Sequence, residues 1–245
     1  MFYSQLQAGK IANESEFVSD LTGMIQKSDN ESASRILDKI TDTQSGSDLE
    51  REDFQKWLEQ REKVNKFFSS ADYQEVNLSQ KTFPIPYLQL YEPKGRDLQM
   101  RGDLQKPLRN KITTQQASRL MYEIVTEQAV SPEYSQKMLN LLTIDSTARN
   151  QKRNSKNLNY FNSVRGFLGH SLPDDVYFAA KAGWTSQTRQ ETAYISTKDG
   201  KVAYILTIFA EDKTYAYDWD IFPEMSRLAF EKMTNRSLSR VSNLP

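Results

Sequence analysis

Hydrophobic residues recur at helical spacing through the first 142 residues. Phe17, Leu21, Met24 and Ile25 fall on one face of a helix over 16–27. The same spacing predicts helices from the first residues to the stop at Ala8-Gly9, and over 31–40, 54–69, 115–128 and 132–142. Between them, residues 41–53 are polar and turn-rich, and prolines break the stretch 70–112, which we expect to be irregular. Residues 145–159 predict a polar, basic loop.

From about residue 176 the period changes to that of β-strands. The pattern predicts strands over 176–184, 191–198 and 201–210, followed by a closing amphipathic helix over 219–234. Asp199-Gly200 predicts a hairpin with a type I′ turn, which needs positive φ at both central residues. Helices followed by an antiparallel sheet and a closing helix indicate an α+β fold. We expect one domain over 1–245.

Composition excludes several classes of function. The 32 basic and 32 acidic residues balance, which argues against a nucleic-acid partner. Cysteine is absent, so disulfides, thiolate metal sites and cysteine nucleophiles are excluded, and His170 is the only histidine. No cofactor or metal site is predicted. No apolar run approaches ~18 residues, so no transmembrane segment is predicted, and no signal peptide is recognisable at the N-terminus.

Three short motifs are candidates for chemistry, although each has a structural explanation when taken alone. Ser28-Asp29-Asn30, with Glu31 three residues after Ser28, is typical of a capping box. Tyr91-Glu92-Pro93 is typical of a turn. Lys181-Ala182-Gly183-Trp184 ends a predicted strand, and a strand glycine allows another backbone or a ligand to approach closely.

In this order, SDN at 28–30, YEP at 91–93 and KAGW at 181–184 resemble the motifs of class A β-lactamase-like serine hydrolases, within the group that includes penicillin-binding proteins. The resemblance runs from Met1 to about Met233. It implies a β-lactamase/transpeptidase-like fold, with the last three strands of the sheet present and the N-terminal strands missing. The polar stretch at about 41–60 would be an insertion.

The resemblance implies acyl transfer through a serine ester, followed by hydrolysis. Ser28 would relay a proton to the leaving nitrogen, and Lys181 would keep the site positive and orient Ser28. Glu92 would activate the water that deacylates the enzyme.

The resemblance also implies a set of substrate-binding residues. Asn30 would donate to the amide carbonyl of the substrate. Gly183 and Trp184 would offer strand backbone, with the Trp184 N–H as half of an oxyanion hole. Arg189 would pair with a carboxylate of the substrate.

Departures from the family pattern are as informative as the matches. No S-x-x-K motif, which would supply the nucleophile and its lysine, occurs in the 245 residues. We therefore expect an N-terminally truncated member that begins inside the helix of that motif and is inactive alone. Ala182 replaces the usual hydroxyl residue. The missing N-terminal strand would leave an exposed apolar edge along Val202–Phe209.

Two functions remain open. The first is hydrolysis of a β-lactam or a related amide or ester, with the choice between lactamase, D,D-peptidase and esterase undecided. The second is a non-catalytic pseudo-enzyme that binds peptidoglycan-type peptides or a protein partner. A full-length parent would be extracytoplasmic or periplasmic, whereas the location of this chain and its oligomeric state are not predicted.

Overall fold

The computed structural model describes residues 1–146, 149 and 166–238. Most of the polar loop expected at 145–159 lies outside these residues. The chain divides into two compact units, Met1–Gln116 (unit 1) and Ala117–Pro245 (unit 2), and each is described by itself. The expectation of a single domain over 1–245 stays a prediction.

Unit 1 is helical. Its helices are α1 (Phe2–Gln7), α2 (Val18–Gln26), α3 (Asn30–Thr41), α4 (Arg51–Arg61), α5 (Lys63–Ser70) and α6 (Gly95–Arg101), with single 3₁₀ turns at Ser15–Phe17 and Pro86–Leu88. The predicted helix over 54–69 is two helices, because the chain breaks at Glu62 between α4 and α5. The expectation of irregular structure across 70–112 is wrong for α6.

The interior of unit 1 contains a buried ionic cluster. Arg61 has no exposed surface, and its guanidinium is 2.8 Å from a carboxylate oxygen of Asp38 and 3.5 Å from one of Asp97. The amine of Lys81 lies 2.5 Å from the other Asp38 oxygen. Removal of one partner from such a cluster leaves an uncompensated buried charge. The helices of unit 1 are therefore joined partly by charge.

Unit 2 contains the sheet. Its elements are α7 (Thr114–Val125), which begins just before the unit boundary, α8 (Pro132–Leu142), β1 (Val176–Trp184), β2 (Thr188–Thr197), β3 (Ala203–Glu211), α9 (Lys213–Tyr217) and α10 (Ile221–Thr234). Among the described residues the sheet has three antiparallel strands in the order β1-β2-β3. This confirms the predicted strands, the α+β class and the closing helix, whereas α9 was not predicted.

Alternation of side chains explains the core of unit 2. On β1 and β2 one face carries Phe178, Ala180, Ala182, Ala193 and Ile195, all buried. They pack with aromatic and aliphatic residues from other segments of the unit, namely Phe167, Leu168, Leu172, Phe222 and Phe230. Full burial of one such side chain stabilises a fold by roughly 1.5–3 kcal/mol. No helix in the described part of the chain is long and apolar enough to span a bilayer.

The hairpin between β2 and β3 differs from the prediction. Gly200 has φ of +68°, but Asp199 is not among the described residues with positive φ. The amide of Gly200 donates to the Thr197 carbonyl at 2.9 Å, so Lys198 and Asp199 are the central residues of the turn. The expected type I′ turn is therefore wrong, although the hairpin and its left-handed glycine are confirmed.

Candidate active site

Ser28-Asp29-Asn30 lies at the N-terminus of α3, as predicted, but the cap differs. Asp29 is the N-cap residue, and its carboxylate accepts the Ser32 N–H at 2.8 Å. The capping box with Ser28 as the cap is therefore wrong. Ser28 has φ of +49°, a left-handed conformation that costs a non-glycine residue of order 1 kcal/mol or more. Ser28 directly follows Lys27, the C-cap residue of α2, where helices commonly end in a left-handed residue, and the next amide, that of Asp29, donates back to the Gly23 carbonyl at 3.0 Å.

A second segment of unit 1 is held against this turn. The Asn30 side-chain amide donates to the Pro84 carbonyl at 2.8 Å. The Tyr87 hydroxyl lies 3.0 Å from an Asp29 carboxylate oxygen and 2.6 Å from one of Glu31. Residues 84–87 therefore lie against the start of α3, and the Pro84 carbonyl accepts a hydrogen bond from the Asn30 side-chain amide.

These contacts determine the protonation state of the Asp29 and Glu31 carboxyl groups in this turn. The Tyr87 hydroxyl, followed by Arg35, lowers the pKa of Glu31. Burial raises the pKa of Asp29, but hydrogen bonds from Ser32 and Tyr87 together outweigh it, so that this pKa is also lowered. Both carboxyl groups are therefore ionised at neutral pH, and they accept rather than donate hydrogen bonds.

Glu92 is exposed, and it lies three residues before α6 begins. That helix is attached to the polar stretch that follows α3. The Gln99 side chain exchanges two hydrogen bonds with the backbone of Leu49, at 2.8 and 3.1 Å, and the Arg96 amide donates to the Gly46 carbonyl at 3.2 Å. A side chain at Gly95 would come within 1.9 Å of that carbonyl oxygen. Residues 46–49 therefore support the segment that follows Glu92, a contact the sequence reading missed.

Lys181 lies on β1 of unit 2, opposite Thr192 of β2. Its amine donates to the Ala182 carbonyl at 2.8 Å. Burial lowers the pKa of Lys181 to about 8, and the charge of Glu191 opposes this shift. An amine with this pKa exchanges protons near neutral pH, as acid–base chemistry requires.

Gly183 and Trp184 continue β1 to its end. Gly183 pairs with Gln190, and a Cβ at Gly183 would meet the side-chain oxygen of Gln190 at 3.0 Å. Trp184 pairs with Arg189 on β2, and its indole N–H donates to the Ala216 carbonyl at 2.8 Å. This bond fixes the ring at the strand end, where Trp184 remains 38% exposed.

Arg189 is fully buried. Its guanidinium donates to the carbonyls of Ala216 and Asp218, and it lies 4.4 Å from the ring centre of Trp219 and 4.5 Å from that of Phe167. Burial lowers its pKa to about 10, with Asp218 opposing. In this conformation, pairing with a substrate carboxylate would require the side chain to leave these partners. Its predicted role as a substrate ligand stays a prediction, and the structure shows a packing role.

Glu191 was not singled out from the sequence. It is fully buried, and one of its oxygens accepts the backbone N–H groups of Phe167 and Leu168 at 2.6 and 2.8 Å. Gly166 has φ of +78°, and a Cβ there would lie 2.1 Å from the other oxygen of Glu191. The only signal for this role in the sequence is that β2 carries two charged residues, Arg189 and Glu191, on the face that otherwise bears buried apolar side chains.

The candidate residues divide between the units. Ser28, Asn30 and Glu92 lie in unit 1, and Lys181, Gly183, Trp184 and Arg189 lie in unit 2. Within unit 1 the structure brings Ser28 and Asn30 together in one turn. Within unit 2 it gathers the other four at the end of the β1–β2 hairpin. The described residues contain no cluster of histidine and carboxylate side chains suited to hold a metal ion.

Comparison with known proteins decides the family. The family model described as the beta-lactamase enzyme family matches residues 2–233, nearly the whole chain. The chain belongs to this family. Its membership confirms the resemblance drawn from SDN, YEP and KAGW. A comparison with curated proteins gave no match.

Solved structures agree on the fold. A beta-lactamase from Sphaerobacter thermophilus is 18% identical and superposes with a TM-score of 0.56 over 91% of this chain and 65% of its own. A class A beta-lactamase from Bacteroides cellulosilyticus is 15% identical, with a TM-score of 0.54 over 94% of this chain and 73% of its own. A chromosome-encoded beta-lactamase mutant of Vibrio parahaemolyticus is 15% identical, with a TM-score of 0.57 over 94% and 79%. The chain thus spans 65% of the first of these proteins.

Proposed function

We propose that this member of the beta-lactamase enzyme family contributes its residues to a serine hydrolase site that acts on a β-lactam or a related amide or ester through an acyl-enzyme. The position of Lys181 supports this most strongly, because its half-buried amine lies on the strand that continues into Gly183 and Trp184 at the end of the β1–β2 hairpin. Burial lowers the pKa of this amine to about 8, which still keeps a site positive at neutral pH and allows proton exchange.

In this proposal each residue has one task. Ser28 passes a proton to the leaving nitrogen, Asn30 donates to the substrate carbonyl and Lys181 keeps the site positive. Glu92 activates the water that deacylates the enzyme, and its exposure leaves room for that water.

An acyl-enzyme forms only where a nucleophile is present. No S-x-x-K motif occurs in these 245 residues, so a polypeptide of this sequence alone should not form the acyl-enzyme. A fluorescent penicillin tests this point. We expect no covalent label on the 245-residue polypeptide, and a label on a longer polypeptide that carries S-x-x-K before Met1. Failure of the longer polypeptide to label would contradict the hydrolase proposal.

A non-catalytic binding role is the second candidate. The Asn30 amide already donates to the Pro84 carbonyl, and Ala182 offers no hydroxyl to a substrate carboxylate. Both observations favour a cleft used without turnover. Calorimetry with a muramyl peptide would support this candidate by showing saturable binding to the 245-residue polypeptide with the peptide recovered intact. No binding to any wall fragment would contradict the peptide-binding version.

A further inference from the structure

A buried carboxylate in the central strand of the sheet has no task in the proposed reaction. Glu191 lies on β2 between Ala182 of β1 and Ile208 of β3, and it has no exposed surface. Its side chain shares a face of β2 with Ala193 and Ile195, which belong to the apolar core. Burial of a carboxylate is unfavourable unless hydrogen bonds replace its hydration. The contacts of Glu191 therefore indicate what this residue does.

The carboxylate holds a backbone segment, residues 166–168, against the sheet. One oxygen of Glu191 accepts the N–H groups of Phe167 and Leu168 at 2.6 and 2.8 Å. Bonds from a backbone N–H to a carboxylate are stronger than neutral ones. Gly166 makes the close approach possible, because its φ is +78° and a Cβ there would lie 2.1 Å from the other oxygen of Glu191. Three consecutive residues are thus fitted around one carboxylate, and we call this contact the Glu191 clamp.

The Glu191 clamp places the Phe167 ring on Arg189. The guanidinium of Arg189 lies 4.5 Å from the ring centre of Phe167 and 4.4 Å from that of Trp219. A cation on an aromatic face is held more strongly where water is excluded, and both Phe167 and Arg189 are buried. Phe167 therefore helps to fix the conformation in which Arg189 reaches the Ala216 carbonyl.

Arg189 and Trp184 share one acceptor. The Ala216 carbonyl accepts the Arg189 guanidinium at 2.7 Å and the Trp184 indole N–H at 2.8 Å. The Trp219 ring, which contacts Arg189, also lies 6.2 Å from the Trp184 ring, measured between centres. A displaced guanidinium would change both contacts of the indole. A continuous series of contacts therefore runs from Glu191 to the end of β1.

We infer that Glu191 is a positioning residue, which fixes the Trp184 end of β1 by acting through Phe167 and Arg189. The contacts that carry this inference all lie within unit 2. Its consequence for turnover rests on the proposed function, with Gly183 and Trp184 offering strand backbone to the substrate. Displacement of such a group by about 1 Å lowers a rate by on the order of a hundredfold.

Fluorine NMR tests the positioning of Trp184 directly. The chain contains three tryptophans, Trp57, Trp184 and Trp219, so fluorotryptophan gives three signals, which replacement of each tryptophan by phenylalanine assigns. Glu191→Met keeps the length of the side chain but offers no oxygen to the two amides. It should shift and broaden the Trp184 and Trp219 signals and leave the Trp57 signal unchanged. Glu191→Gln keeps an acceptor oxygen and should retain all three signals.

A control on the same strand separates positioning from loss of packing. Ile195→Ala removes a buried side chain from the same face of β2, away from the clamp, and should leave the Trp184 signal in place. Gly166→Ala displaces the carboxylate from the other side and should move the same two signals, so it decides the question if Glu191→Met does not fold. An unchanged Trp184 signal in a folded Glu191→Met or Gly166→Ala chain would overturn the inference. An equal shift in Glu191→Gln or Ile195→Ala would do so too.

Covalent labelling extends the test to the proposed reaction. In the longer polypeptide that carries S-x-x-K, Glu191→Met should slow labelling by fluorescent penicillin by on the order of tenfold or more, and Glu191→Gln should restore most of the rate. If the unmodified longer polypeptide does not label, the proposed function fails and the fluorine spectra alone decide the inference. If it labels and Glu191→Met labels as fast, the inference is overturned and the proposed function stands.

Discussion

The two units keep their candidate residues in place by different physical means. In unit 1, Ser28 and Asn30 lie in a surface turn held by polar contacts to Pro84 and Tyr87, and the interior contains the ionic cluster around Arg61. In unit 2, Lys181 and its neighbours lie on a strand whose other face is packed with aliphatic and aromatic side chains. Both units bury apolar side chains, but unit 1 adds the charged cluster around Arg61 to its interior, so its stability depends on paired charges as well as on packing.

The largest expected effect is in the apolar core of unit 2. Phe222 is fully buried, 5.8 Å from the ring centre of Phe167. Phe222→Ala should lower the free energy of unfolding by about 3–5 kcal/mol, because it leaves a cavity. Denaturant unfolding followed by the fluorescence of Trp184 and Trp219 measures this. The exposed control Leu228→Ala should cost less than about 0.5 kcal/mol; equal losses would refute the packing account.

Removal of a charge from unit 1 should cost nearly as much. Asp38→Ala leaves the buried Arg61 and Lys81 without their shared carboxylate, and should lower the free energy of unfolding by about 3 kcal/mol. Trp57 fluorescence reports the transition. The control is Asp53→Ala, which removes an exposed carboxylate 3.4 Å from Lys56 and should cost less than about 0.5 kcal/mol. A loss from Asp38→Ala no larger than that of the control would mean that charge pairing does not hold unit 1.

The third prediction concerns pH. The pKa of Lys181 is lowered from 10.5 to about 8 in the folded chain, so the unfolded chain binds more protons between these values. Stability should therefore rise as pH increases from about 8 to about 10.5. Lys181→Met should remove this rise and stabilise the chain at pH 7 by on the order of 2 kcal/mol.

Urea unfolding at a series of pH values measures this difference. Lys198→Met is the matched control, since Lys198 is exposed in the hairpin turn, and it should leave the rise unchanged. A Lys181→Met chain that keeps the rise would show that burial does not lower this pKa.

The smallest expected effect is at Ser28. Glycine adopts positive φ without strain, so Ser28→Gly should raise the free energy of unfolding by about 0.5–1 kcal/mol. Ser28→Ala removes the same hydroxyl but keeps a Cβ at φ of +49°, and should give no such gain. Thermal melts of both variants separate the strain from the hydroxyl. If both variants lose stability equally, the hydroxyl has a structural role and the strain at this helix end does not limit stability.

Sequence periodicity predicted the sheet well because alternation depends only on which face is buried. The strand Val176–Trp184 was predicted to the residue, and the closing helix began two residues later than expected. The helix α6 was missed because its apolar pattern is short and follows Pro93, and its anchors at Gly46 and Leu49 are about fifty residues away.

The site was predicted less completely than the fold. The motifs identified the family, but the cap at Asp29 rather than Ser28 depends on backbone angles that the residue types alone leave open. The burial of Arg189 depends on carbonyls of Ala216 and Asp218, which no side-chain pattern reveals. Backbone partners distant in sequence therefore account for most of what the sequence reading missed.

Covalent capture of a β-lactam tests the central claim most directly. The measurement is the intact mass, after treatment with benzylpenicillin, of a longer polypeptide that joins an S-x-x-K segment to these 245 residues, beside its Lys181→Met variant and the 245 residues alone. We predict one acyl adduct on the longer polypeptide, a much slower adduct on the variant and none on the 245 residues. An unmodified longer polypeptide, or an adduct whose rate does not depend on Lys181, would contradict the account.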